Sequence, residues 1–400
     1  MTFNPRSFID RSFINRSFLN RSFLNRSFLN RSFINRPLIN RLLGISLLSG
    51  SSFFSSVALA EPVQTISADN QAYLYTGRID FSDKKAPLIS WTGTSIKANF
   101  TGTSLAIKLD DQLGKNYFNI IVDGEAQHPY VLEAKKGEQA YVISTALKAG
   151  NHSLEIYKRT EGEEGATAFK GLVLDANAKM LAPPARPTRR MEIYGDSIST
   201  GMGNEGADNG ADHLLSEKNN YWAYGAITAR NLNAELHTIS QSGIGIMISW
   251  FPFIMPQFYD QVSAVGDNDT KWDFTQWTPD LVMINLFQND SWLIDREKRL
   301  QPIPDDAARV QAYINFVRSV RAKYPKAQII CALGSMDATA NPKWPGYITA
   351  AVERMRKENK DEKLDTIFFE YTGYGGHPRI AQHKANAEKL TAFIKHKMDW

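Results

Sequence analysis

The chain of 400 residues has a single cysteine, Cys331. That excludes an intrachain disulfide, and its place in the apolar run Ala327-Gln328-Ile329-Ile330-Cys331-Ala332-Leu333 reads as a buried, inert thiol. Metal-ligand spacing is missing too. His377 and His383 lie six apart with no third ligand at suitable spacing, so no zinc site is expected, and no cofactor of another kind. Basic residues lose their majority once the first sixty residues are set aside. Those sixty hold eight arginines and one aspartate, leaving 38 basic against 41 acidic residues, a net charge of −3. Nucleic-acid binding needs clustered positive charge and is not expected.

A long apolar run occurs once. Leu42 to Ala60 is uncharged, Ser-rich, carries two glycines and ends Ala58-Leu59-Ala60 before Glu61-Pro62. It reads as a secretory apolar region with a small-residue cleavage site near Ala60, giving a secreted or periplasmic protein with no lasting membrane insertion. Ahead of it, from Arg6 to Arg41, the unit Arg-Ser-Phe-(Ile/Leu)-Asn recurs. A pentapeptide solenoid needs small residues flanking each central apolar one, and an Arg two positions before each Phe argues instead for a repeat expansion without folded structure.

The remainder divides by texture. Residues 61–181 read as an all-β sandwich: Gln71–Phe81, Leu88–Trp91, Ser95–Phe100, Ser104–Leu109, Tyr117–Val122, Ala140–Thr145, His152–Tyr157 and Phe169–Leu174 are short strands between turn residues. The proline-rich stretch Ala182-Pro183-Pro184-Ala185-Arg186-Pro187 opens a linker over 182–190. Residues 191–400 alternate strands (Met191–Tyr194, Glu235–Ser240, Leu281–Leu286, Gln328–Leu333, Thr366–Glu370) with helices (Tyr221–Leu232, Asp305–Lys323, Tyr347–Lys357, Arg379–Met398). That alternation predicts an α/β doubly wound parallel sheet, whose ligands gather at the carboxyl ends of the strands.

Four chemistry-bearing pieces stand at such ends. Gly195-Asp196-Ser197 follows the first strand, Ser242-Gly243-Ile244-Gly245 the second and Asn289-Asp290 the third, while His377-Pro378 precedes the last helix. In this reading Ser197 is a nucleophile and His377 its base, and the N–H groups of Ser197 and Gly243 with the Asn289 amide hold an oxyanion. Asp196 reads as a structural hydrogen-bonding residue, Asp290 as a loop-fixing one and His383 as a structural histidine. Trp292 could lay an indole face on a sugar ring. The apolar loop Met247 to Met255 is expected to pack against the sheet, a lid or acyl-site wall being the alternative.

These blocks resemble those of the SGNH (GDSL-type) hydrolase superfamily, and Ser197 is not in a Gly-x-Ser-x-Gly elbow. A β-sandwich followed by Gly195-Asp196-Ser197-Ile198, Gly201-Met202-Gly203-Asn204, Ser242-Gly243-Ile244-Gly245, Asn285-Leu286 with Asn289-Asp290, and His377-Pro378 with His383 is similar to carbohydrate esterase family 2. The resemblance implies a jelly-roll-like domain before an SGNH domain, and a metal-free serine esterase acting on acetylated plant polysaccharide such as xylan or glucomannan.

Two positions depart from the pattern. Phe287-Gln288 stand where Gly-Thr usually precedes Asn-Asp, which makes Phe287 a candidate substrate contact. The aspartate often found two or three residues before the histidine is replaced by Tyr374 and Gly375. Because something must accept the other ring N–H, Gly375-Gly376 motivate a Ser-His dyad oriented by a backbone carbonyl. Two other functions stay open: a lipase or short-chain ester hydrolase, and a carbohydrate-binding protein with a decayed hydrolase domain. Oligomeric state is not legible.

Overall fold

Alternating apolar residues build two antiparallel sheets from the first part of the structure. The computed structural model describes residues 62–373 and 376–400, so the repeat, the secretory run, Tyr374 and Gly375 lie outside the described residues. In one sheet Asn151–Lys158 lies between Ser95–Thr101 and Tyr117–Val122, with Leu74–Thr76 and Tyr130–Glu133 at the edges. In the other, Thr167–Asp175 pairs with Leu105–Asp111, Leu88–Ile89 and Val63–Ile66. Ile96, Phe118, Ile120 and Ile156 from the first sheet meet Ile107, Leu109, Phe169 and Leu172 from the second in one core. This is face-to-face sandwich packing of strands with one inward face.

The expected strand Gln71–Phe81 is broken into Leu74–Thr76 and Ile79–Asp80, with Gly77 between them at φ +118°. Val63–Ile66 and Tyr130–Glu133 are edge strands the sequence reading did not anticipate. Both are short and half-exposed, so neither carries a strong alternation.

Five parallel strands follow: Arg189–Gly195, Ala234–Ser240, Leu281–Asn285, Gln328–Leu333 and Leu364–Phe368. The first begins inside the span expected to be linker, because Arg189 and Arg190 already pair with Ala234 and Glu235. In space the order is second, first, third, fourth, fifth. Helices Tyr224–Asn231, Asp306–Lys323, Lys343–Asn359 and Ile380–Met398 cover the sheet. Residues alternate between two cores: Val282 and Ile284 with Ile329 and Cys331 on one face, Leu281 and Met283 with Ile330 and Ala332 on the other. Burial on both faces explains why these strands read as continuous apolar runs. Strand order reverses beside the first strand, where Gly195 stands level with both Ser240 and Asn285. That is the crevice in which doubly wound sheets bind ligands. Among the described residues no helix is long and apolar enough to cross a membrane.

Sandwich and parallel sheet pack as one compact unit. The fully buried Arg78 pairs with Glu192 of the first parallel strand at 2.8 Å and donates to the Tyr259 carbonyl at 2.6 Å. Trp91 joins the core on one face of the parallel sheet and donates from its indole nitrogen to the Val262 carbonyl at 2.7 Å.

Candidate active site

The first parallel strand runs into a one-turn helix, Ser197–Thr200. Asp196 caps it by accepting the Ile198 N–H at 3.0 Å, the structural role expected of it. Burial pushes the Asp196 carboxyl up to about 7, against the pull of that N–H. Ser197 Oγ lies 2.8 Å from His377 Nε2. The other ring nitrogen, Nδ1, lies 2.9 Å from Asp212 Oδ2, which also accepts the His377 backbone N–H at 2.9 Å.

This corrects the expected dyad: a carboxylate, not a backbone carbonyl, faces the far side of the imidazole. With a carboxylate at Nδ1 the ring proton sits there, leaving the Nε2 lone pair for the serine hydroxyl. Gly376 carries the reason. It sits at φ +117°, and a Cβ there would come within 2.5 Å of Asp212 Oδ2. The glycine that suggested a free carbonyl instead makes room for the acid. Asp212 comes from a loop 165 residues away in sequence. Arg379 holds that loop, pairing with Asp212 Oδ1 at 2.7 Å and donating to the carbonyls of Ala207 and Gly210, each at 3.0 Å, and of Gly203. Partial burial works to raise the Asp212 carboxyl, but the hydrogen bonds from His377 and the charges of His377 and Arg379 outweigh it and hold it below the usual range.

Asn289 stands at the end of the third strand with its amide oriented from both sides. Its Nδ2 donates to the Ile244 carbonyl at 2.9 Å and its Oδ1 accepts the Trp250 indole N–H at 3.1 Å, leaving one amide hydrogen. Gly243 adopts φ +84°, a conformation glycine tolerates without strain. The N–H groups of Ser197 and Gly243 have no hydrogen-bond partner among the described residues. Ser197 and Asn289 are thus at neighbouring strand ends.

Asp290 accepts the N–H groups of Ile246, Met247 and Ile248 at 3.0, 2.6 and 3.3 Å, the loop-fixing part expected of it. Burial pushes its carboxyl up to about 6. Met247, Ile248, Phe251, Phe253 and Met255 pack on the core, so the apolar loop lies against the sheet. Trp250 projects outward, 44% exposed with the Arg299 guanidinium 4.5 Å from its ring. His383 is buried and accepts the Tyr224 N–H at 3.1 Å; burial, then the nearby His377, lower its pKa to about 3. Cys331 is buried, and burial raises its thiol to about 12.

Phe287 is not a substrate contact. It is fully buried against Tyr313 and Trp344, with ring centres 4.9 and 5.1 Å away. Its φ of +95° explains why glycine is usual there, and core packing compensates the strain. Trp292 is half-buried against the core and donates to Asp337 at 2.8 Å. Sequence reasoning missed Asp212, Trp250 and Arg379, and also Glu161 of the sandwich, whose carboxylate reaches Ser242. Only Gly376 hinted at any of them. Glu161, Glu163 and Glu164 have ligand atoms within 4.8 Å of one another, yet the Lys218 ammonium already bonds Glu161 and Glu164 at 2.6 and 2.7 Å and supplies the cation.

Serine, imidazole and carboxylate in hydrogen-bonded series at the carboxyl edge of a doubly wound sheet, with an asparagine amide at the adjoining strand end, define the SGNH class of hydrolase. Residues 75–184 match the family model described as carbohydrate esterase 2 N-terminal. A family two carbohydrate esterase from Clostridium thermocellum, solved in complex with cellohexaose, superposes with a TM-score of 0.73 at 34% identity, over 82% of this chain and 99% of that one. The cellulase/esterase CelE of Acetivibrio thermocellus is 36% identical over 354 residues, 85% of this chain, which spans 41% of that relative's length. An acetylxylan esterase / glucomannan deacetylase of Cellvibrio japonicus is 26% identical over 379 residues, 90% of this chain and 99% of the relative. The chain belongs to carbohydrate esterase family 2.

Proposed function

We propose that this protein is an exported serine esterase that removes O-acetyl groups from plant cell-wall polysaccharide such as xylan or glucomannan. The observation that carries the proposal is the unbroken series Ser197 Oγ, His377, Asp212. Ser197 Oγ attacks the acetyl carbon while His377 Nε2 takes its proton, and the developing oxyanion receives the N–H groups of Ser197 and Gly243 and the free Asn289 amide hydrogen. His377 then returns the proton to the departing sugar oxygen, leaving acetyl-Ser197. Water attacks that ester by the same route in reverse, releasing acetate and free serine. Asp212 keeps the ring in the working tautomer and stabilises the imidazolium.

Substrate choice is supported by what the relatives are called, and by the exposed Trp250, whose ring can lie against a sugar face beside Asn289. Trp292 is a second candidate at the rim. Export rests on the run Leu42 to Ala60. The complete series of three groups favours an enzyme over a decayed binding protein, and packing of the apolar loop on the core disfavours a lipase lid. The test is acetate release from an aryl acetate, acetylated xylan and acetylated glucomannan, with and without chelator. Release is expected to vanish in Ser197→Ala and to ignore chelator, and Asn289→Ala is expected to lose about 10²–10³-fold in kcat. Equal release by Ser197→Ala, or better hydrolysis of long-chain than acetyl esters, would sink the reading.

A further inference from the structure

One carboxylate of the sandwich reaches the catalytic edge of the sheet. Glu161 follows the strand Asn151–Lys158 and opens the turn Gly162–Glu164, and it is fully buried. Its Oε2 accepts the backbone N–H of Ser242 at 2.5 Å, and its Oε1 accepts the Ser242 hydroxyl at 2.6 Å. Both donors of Ser242 therefore end on one side chain from the other sheet system, 81 residues earlier in the chain. The same Oε1 bonds Lys218 Nζ at 2.6 Å, and Lys218 reaches Glu164 at 2.7 Å, so one buried ammonium is shared by the two carboxylates and leaves Oε2 to Ser242.

Ser242 sits between two parts of the proposed machinery. The next residue is Gly243, whose N–H has no hydrogen-bond partner among the described residues. Its own Oγ lies 3.2 Å from the Thr200 hydroxyl, which donates to the Ser197 carbonyl at 3.0 Å. A loop peptide at φ +84° has no strand or helix ladder to hold its direction. A charged acceptor that takes the preceding N–H and O–H together supplies that constraint, and charge-assisted bonds are the stronger kind.

We propose that Glu161 is a positioning residue for the oxyanion site: through Ser242 the sandwich fixes the direction in which the Gly243 N–H points. The sandwich then contributes to turnover without touching substrate. The inference rests on the reading of Ser197 as an esterase nucleophile with Gly243 as an oxyanion donor.

The experiment compares Glu161→Gln, Glu161→Asp, Ser242→Ala and the double variant Glu161→Gln/Ser242→Ala on an aryl acetate. Active sites are counted by titration with an aryl phosphonate, so that loss of folded protein does not pass for slow turnover. Glu161→Asp keeps the charge beside Lys218 while withdrawing the carboxylate from Ser242, and Ser242→Ala leaves Glu161 intact, so either serves if Glu161→Gln does not fold. Trp91→Phe, at the same seam but against Val262, is the control for loosened packing between sandwich and sheet.

Turnover per titrated site is expected to fall about 10- to 100-fold in Glu161→Gln, less than complete loss of a donor would cost. KM stays within about twofold, as for an interaction felt in the transition state. The double variant is no slower than the slower single variant, and Trp91→Phe turns over at the native rate. Native turnover per site in Glu161→Asp and Ser242→Ala, or losses that multiply in the double variant, overturns the inference while leaving the esterase reading standing. Absence of Ser197-dependent hydrolysis in the native protein overturns both.

Discussion

In the proposed reaction, Asp212 is the residue on which the histidine's part turns. It contacts His377 through the ring and the backbone, and Arg379, two residues beyond the histidine, ties its loop to the same place. The carboxylate makes the Nδ1–H tautomer the stable one. Asp212→Asn can instead offer its amide N–H to Nδ1, which moves the ring proton to Nε2 and blocks proton removal from Ser197. Turnover is therefore expected to fall about 10²–10⁴-fold with the protein still folded, as judged by kcat on an aryl acetate and by near-ultraviolet circular dichroism. Unchanged kcat would mean that a backbone carbonyl can do the work, as the residues around His377 first suggested.

At the scale of elements, the segment after the second parallel strand is held by a side chain from the end of the third. Asp290 collects three successive N–H groups of the 246–248 loop, and so ties the wall that carries Trp250 to the turn that carries Asn289. Burial makes the folded protein keep a proton on Asp290 up to about pH 6, whereas the unfolded chain releases it near 3.8. Stability from this group is therefore full below the lower value and is lost as pH rises toward the upper one. Native protein is expected to lose stability relative to Asp290→Asn between about pH 4 and pH 7, measured by guanidinium unfolding at both ends. A gap that moves the other way would mean that the three N–H donors outweigh burial.

At the scale of the molecule, the sandwich and the hydrolase sheet meet through fully buried side chains. Arg78 and Glu192 are both fully buried, and Tyr194 donates to the same carboxylate at 2.6 Å. Arg78→Met strands Glu192 as an unpaired buried charge and is expected to cost about 3–5 kcal/mol, whereas Arg78→Met with Glu192→Gln should cost distinctly less. Denaturant unfolding of the three proteins checks this. A single cooperative transition is expected for the native chain, and residues 189–400 alone are not expected to fold, since Trp91 and Arg78 complete the core beneath the first parallel strand.

Much of this molecule was legible in local pattern. Alternation announced the sandwich strands, apolar runs bounded by helical periodicity announced the parallel sheet, small residues after strand ends marked Ser197 and Gly243, and the pair Asn289-Asp290 after the third strand marked Asn289. Those signals are local because strand pairing and strand-end chemistry are imposed within a few residues of backbone. Tertiary structure alone decided that Asp212 faces His377, that Phe287 turns into the core at positive φ, that Trp250 stays exposed while Phe253 and Met255 of the same loop are buried, and that Glu161 crosses from the sandwich to Ser242. Each depends on two segments 39 to 165 residues apart meeting in space, or on which side of a turn a side chain leaves the backbone. Neither leaves a periodic trace in the chain, because an ion pair or hydrogen bond constrains only its two ends.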